Sequence, residues 1–217
     1  MLTRVAGTLA LVCLLVTTGC ESAASRLNHE GMDAYRAGQY SQARGYFTVA
    51  IEKDPKLGDY YFNRGMCEQA LGNLDRALAD YGIATKLTPR ITDAYQAMAS
   101  CYLEKEKPDE ALKALELGTL ANPGNADTFL NVGKFYFERS DMDGTRLWYA
   151  KAAAAEPASA KAHKEYGLLL AMLGDKEKAV AELRKSLEIE PAQPDVSAKL
   201  TELAPSGPQL PSPKPRP

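Results

Sequence analysis

The chain has little of what marks catalytic or metal chemistry. It holds only two histidines, His29 and His163, which stand far apart, and four cysteines with no CxxC pair among them, so a zinc site of ordinary ligand spacing is excluded. Cys13 and Cys20 fall in the first twenty residues, leaving Cys67 and Cys101 for the body, which is no disulfide framework. GxSxG, HExxH and a glycine-rich phosphate loop are all missing. SDMDG at 140–144 opens like a calcium loop but lacks its later acidic ligands, and reads as a turn between helices. Positive charge is not in excess: 26 Lys+Arg stand against 28 Asp+Glu, and losing Arg4 with a leader would take the net charge from −2 to −3. No Lys/Arg run suggests a nucleic-acid surface. The expectation is therefore no enzyme, with no catalytic residue, metal, cofactor or small-molecule substrate.

Long apolar runs are scarce as well. Val5 to Val16 is uncharged and mostly apolar, too short for the roughly 20 residues that span a bilayer, but of signal-peptide length. It ends in Thr17-Thr18-Gly19-Cys20, which resembles the bacterial lipoprotein processing site, with Thr17 where that pattern usually has Leu. The resemblance implies a signal peptide over 1–19, lipid on Cys20 and a short anchored linker over 20–23. More than one acyl chain on that cysteine suffices for stable membrane attachment. It also implies that Glu21, not Asp, after the cysteine favours the outer membrane, facing the periplasm, in a Gram-negative cell. Two rivals stay open: a cut at Ser22-Ala23-Ala24, giving a soluble secreted protein without Cys20, and an uncleaved anchor.

The body is one unit written five times. Pro55, Pro89, Pro123, Pro157 and Pro191 are spaced 34 residues apart without insertion or deletion, giving units 24–57, 58–91, 92–125, 126–159 and 160–193. Twelve residues before each proline stands Ala43, Ala77, Ala111, Thr145 or Ala179; eight before it, Phe47, Tyr81, Leu115, Tyr149 or Leu183; five before it, Ala50, Ala84, Gly118, Ala152 or Ser186. Spacings of four and three place small, large and small residues on one helix face. In the first half of each unit a small residue recurs, as Gly31, Gly65, Ala99, Gly133 and Gly167, which lets a neighbouring helix approach closely. Between the halves lie RAGQYS, ALGNLD, EKEKPD, ERSDMD and MLGDKE, read as turns, and the terminal proline ends each pair. Each unit is thus a helix-turn-helix whose apolar face only its neighbours can cover, so the expected fold is all-α, a solenoid of five stacked units. PDVSAKLTEL, within a last helix over 194–204, supplies the polar cap that such a stack needs. The stretch 205–217 holds six prolines and should be extended, without a core of its own.

These columns resemble the tetratricopeptide repeat over units that cover 170 of 217 residues. Two departures are local: Glu30 stands at an apolar position, marking an exposed edge, and Gly144-Thr145 weakens the second helix of unit four, which Trp148 and Tyr149 offset by burial. Cys67 and Cys101 share one column of adjacent units, where helices pack roughly 10 Å apart. A disulfide needs Cα atoms within about 7 Å, so both are expected to be packed thiols.

The resemblance implies a protein or peptide partner held on the inner face by first-helix positions. Carried over, these are Asn28, Met32 and Tyr35 in unit one; Phe62, Asn63, Met66 and Gln69 in unit two; and Gln96, Ser100 and Leu103 in unit three. Unit four supplies Leu130, Asn131, Lys134 and Phe137, and unit five Lys164, Leu168 and Met172. The family's carboxylate clamp needs Lys or Arg where this chain has Asn28, Met32, Asp93 and Ala97, so that mode is excluded. Met and aromatic side chains instead suit apolar partners, with amides to bond a backbone. A lipoprotein leader on such repeats is similar in architecture to type IV pilus secretin pilotins and to envelope adaptor lipoproteins that recruit peptidoglycan hydrolases. The function expected is a membrane-anchored adaptor in envelope assembly; a periplasmic chaperone for apolar segments is the alternative.

Overall fold

The computed structural model describes residues 22–203. The expected leader, the expected lipid attachment at Cys20 and the proline-rich stretch lie outside the described residues. Within them, eleven helices run in order: α1 (Ala23–Arg36), α2 (Tyr40–Lys53), α3 (Gly58–Ala70), α4 (Leu74–Leu87), α5 (Thr92–Glu104), α6 (Pro108–Ala121), α7 (Ala126–Glu138), α8 (Met142–Ala155), α9 (Ala160–Met172), α10 (Lys176–Ile189) and α11 (Pro194–Leu203). Each odd helix pairs with the next even one, and each pair stacks on its neighbours. The first helices α1, α3, α5, α7 and α9 also touch one another in succession, so they line the inner face of the stack. The fold is an all-α solenoid of tandem helix pairs.

The repeating columns explain why the pairs close. Ala43, Ala77, Ala111, Thr145 and Ala179 are all fully buried, as are Ala50, Ala84, Ala152 and Ser186. Between them the large residue of each second helix sits over the small residue of its partner: a Cβ on Gly31, Gly65 or Gly167 would lie 2.6–2.8 Å from Phe47, Tyr81 or Leu183. Gly133 meets Tyr149 in the same way, and in unit three Ala99 packs with Leu115. Burying each such Phe, Tyr or Leu contributes about 1.5–3 kcal/mol. Gly144 also has a use: a Cβ there would meet the Tyr136 ring at 2.6 Å. Thr145 Oγ1 donates to the Asp141 carbonyl at 2.7 Å, so a buried polar residue is satisfied within its own turn. Glu30 is exposed on α1.

All five turns between paired helices share one left-handed residue: Gly38, Gly72, Glu106, Ser140 and Gly174, with φ between 57° and 84°. The next residue's amide in each donates back to a carbonyl in the last turn, as in Asn73 to Glu68 at 2.8 Å and Asp141 to Tyr136 at 3.0 Å. This is the double closure that ends a helix through a left-handed residue. In units three and four Glu106 and Ser140 hold that conformation without being glycine.

α11 closes the stack as expected. Val196 and Leu200 pack with Leu183 and Leu187 of α10. A buried polar lock reinforces the join: Ser186 Oγ donates to the Ala160 carbonyl at 2.8 Å, and Gln193 Nε2 reaches Ser186 Oγ at 2.9 Å and the Glu190 carbonyl at 2.8 Å. Cys67 and Cys101 are free and fully buried. Burial pushes the Cys67 thiol up to about 12 and the Cys101 thiol up to about 11, so neither is a thiolate near neutral pH.

Candidate functional site

The inner face divides into two halves. In the N-terminal half the expected groove residues are largely engaged with the protein itself. Met32 and Tyr35 pack on the cluster of Ala34, Phe47 and Cys67. Phe62 and Met66 pack against Ala77, Tyr81 and Cys101, with the Phe62 and Tyr81 rings 5.7 Å apart. Asn63 is buried and its Nδ2 donates to Asn28 Oδ1 at 2.8 Å, tying α1 to α3. Gln69 accepts from the Tyr81 hydroxyl at 2.9 Å and donates to Glu104 Oε1 at 2.9 Å, so it braces α3 against both α4 and α5.

The C-terminal half is open. Leu103 on α5, Phe137 on α7 and Met172 on α9 are 37%, 41% and 55% exposed, a row of apolar side chains on successive first helices. A cleft of about 200 Å³ lies between α5 and α7, lined by Gln96, Ser100, Leu103, Asn131 and Lys134 among others. Asn131 Nδ2 approaches Gln96 Oε1 at 3.4 Å, a long bond on an exposed rim that leaves both amides available to a ligand. A second cleft of about 160 Å³ lies between α7 and α9, lined by Phe137, Tyr149, Glu165, Leu168, Leu169 and Met172. Leu168 and Met172 also border a third, with Asp195, Ala198, Lys199 and Glu202 of α11, so the three clefts follow one another along the face.

Two expected residues have other surroundings. Leu130 is buried in the core with Tyr149 and Leu169, beneath the face. Lys164 is held by Asp195 of α11 at 2.6 Å; that bond, ahead of a smaller opposing effect of burial, keeps its ammonium above the usual lysine range. Lys134 stays exposed, 3.8 Å from Glu138. The carboxylates Glu138 and Glu165 and the α11 residues were not among those expected here. Their signal was positional: Glu138 and Glu165 occupy first-helix columns that carry groove residues in other units, and α11 continues those columns past the last repeat.

His163 is structural. Its Nδ1 lies 2.6 Å from Glu182 Oε2, and its Nε2 lies 3.1 Å from the Pro157 carbonyl, which ties the junction of units four and five to α10. Burial alone would push the Glu182 carboxyl up, but the Lys185 ammonium at 2.9 Å and His163 together hold it below the ordinary carboxylate range.

Tandem helix pairs with an open, side-chain-lined inner face define a repeat scaffold that works by binding. Family models described as tetratricopeptide repeat match residues 29–90 and 146–194, and residues 92–125. The chain belongs to the tetratricopeptide repeat family, whose members bind protein or peptide partners. No curated protein sequence matches it. Its fold is similar to that of TTC0263, a thermophilic TPR protein of Thermus thermophilus, at 21% identity over 83% of this chain and 98% of that one, with a TM-score of 0.54. It is similar to pilF of Pseudomonas aeruginosa at 16% identity, covering 84% and 83% of the two chains, with a TM-score of 0.61. YrrB, described as a TPR protein with an unusual peptide-binding site, is 18% identical over 81% of this chain and 91% of that one, with a TM-score of 0.51.

Proposed function

We propose that this chain is a membrane-anchored adaptor of the bacterial envelope, tethered through lipid on Cys20 and binding a segment of a partner protein along the C-terminal half of its inner face. The exposed row of Leu103, Phe137 and Met172 carries the binding part of this reading, because three large apolar side chains in the last turns of successive first helices form a contact surface. The lipoprotein-like leader supports the tether, and Glu21 after the cysteine supports an outer-membrane position facing the periplasm in a Gram-negative cell. The resemblance of a lipoprotein leader on such repeats to type IV pilus secretin pilotins makes pilus biogenesis one envelope process to test.

The test has two arms. Replacing Cys20 with Ser should release the protein from the membrane fraction; retention in the membrane would overturn the tether. A photo-crosslinking side chain at Leu103 should capture one stoichiometric partner in cells, and Phe137→Ala should weaken that complex by about 1–2 kcal/mol with helicity unchanged. Binding indifferent to Phe137→Ala would overturn the groove. The same exposed apolar row also suits a chaperone for apolar segments, which the crosslinking would reveal as a mixed set of unfolded clients.

A further inference from the structure

We infer that the cleft between α7 and α9 is a pocket for one cationic side chain, Lys or Arg, of the partner segment. This rests on the groove reading above and gives the partner a chemistry. The cleft measures about 160 Å³, and a cavity of about 150 Å³ holds one benzene-sized group, so it takes a single side chain. Its walls are apolar: Leu168, Leu169 and Tyr149 are largely buried, while Phe137 and Met172 stand exposed at its edge. The only charged residue lining it is Glu165. Glu165 makes no hydrogen bond or ion pair among the described residues, although lysines stand close by on the same and neighbouring helices. Each of these is already taken: Lys164 by Asp195, Lys161 by Asp127 at 2.7 Å and Lys199 by Glu202 at 2.9 Å, while Lys134 stands beside Glu138 on the far side of α7.

An apolar occupant would cover the half-buried Glu165 carboxylate without giving it a hydrogen-bonding partner, leaving only the electrostatic attraction of Lys164, which already pairs with Asp195. An anionic occupant would add like charge. A Lys or Arg resolves both terms at once. Its aliphatic stem covers Leu168 and Met172 while its head meets Glu165, with Phe137 at the edge of the same cleft.

The experiment uses the isotopically labelled full chain and four 12-residue alanine-based peptides that differ only at one central residue: Lys, Arg, norleucine or Glu. Norleucine keeps the lysine stem and removes the charge. The Lys and Arg peptides should shift the backbone amide signals of Phe137, Glu165 and Met172 saturably, at least about tenfold more tightly than norleucine and more tightly still than Glu. Glu165→Gln should abolish the difference between Lys and norleucine. Equal binding of Lys and norleucine, or a lysine preference that survives Glu165→Gln, overturns the pocket while leaving a peptide groove in place. If no peptide shifts any signal on α5, α7 or α9, the pocket is overturned and the groove stands or falls on the crosslinking at Leu103. Peptide shifts confined to helices outside the inner face would overturn both.

Discussion

The ring of Tyr81 occupies the space that a side chain on Gly65 would need: a Cβ there would lie 2.7 Å from the ring. Tyr81 cannot move aside cheaply, being fully buried with its hydroxyl bonded to Gln69. Gly65→Ala should therefore destabilise the protein by about 1–3 kcal/mol through overpacking. Gly82, in the helix facing it, has open space where its Cβ would be, and Gly82→Ala should stabilise by about 0.5–1 kcal/mol through helix propensity. Denaturant midpoints of the two variants should move in opposite directions; movement in the same direction would contradict the packing described for unit two.

Glu106 and Ser140 hold the left-handed conformation that glycine supplies in the other three turns. A side chain there costs roughly 1–2 kcal/mol, partly offset by the greater freedom of glycine in the unfolded chain. Ser140→Gly and Glu106→Gly should each raise stability by about 0.5 kcal/mol, seen as a higher melting temperature.

Ser186→Ala removes a hydroxyl that serves both the Ala160 carbonyl and the Gln193 amide. Leaving buried polar groups without a partner costs about 1–3 kcal/mol. The loss should be local, and hydrogen exchange should show faster opening of α11 while α3 and α4 keep their protection.

The depressed Glu182 carboxyl gives a pH dependence of definite sign. Its folded value lies below the unfolded one, so its stabilisation is fully present above the ordinary carboxylate range and is lost as pH falls through the folded value. Glu182→Gln should lower the melting temperature at pH 7, and the gap to the native protein should shrink on acidification below about pH 4. A gap that stays constant from pH 7 to pH 3 would contradict the ion-pair geometry at α10.

The fold was legible because its information is periodic. Prolines in register, and small-large-small columns at helical spacing, specify both the pairing and the stacking, and the fully buried Ala43, Ala77 and Ala111 report the same repeat in space. The site was legible only in its columns. Column membership brings Asn63 and Phe137 to one face, but it does not say that Asn63 is consumed by Asn28 while Phe137 stays exposed. That distinction depends on which side chain the adjacent unit offers. The lock between Ser186 and Gln193 was hidden for a similar reason: serine looks like one more small residue until the polar partner seven positions later is seen to fold back on it.

The strict 34-residue register also limits how a protein of this design can change its length. One residue added within a helix would turn everything after it by about 100° around the helix axis, carrying the glycine that admits Tyr81 or Phe47 away from its ring. Residues 24–193 contain no such addition. A whole unit, by contrast, brings its own small and large residues and could be gained or lost between two others with every interior contact rebuilt. Duplication of a complete helix pair is therefore the smallest growth step the interior tolerates, and the inner face would lengthen with it by one first helix at a time.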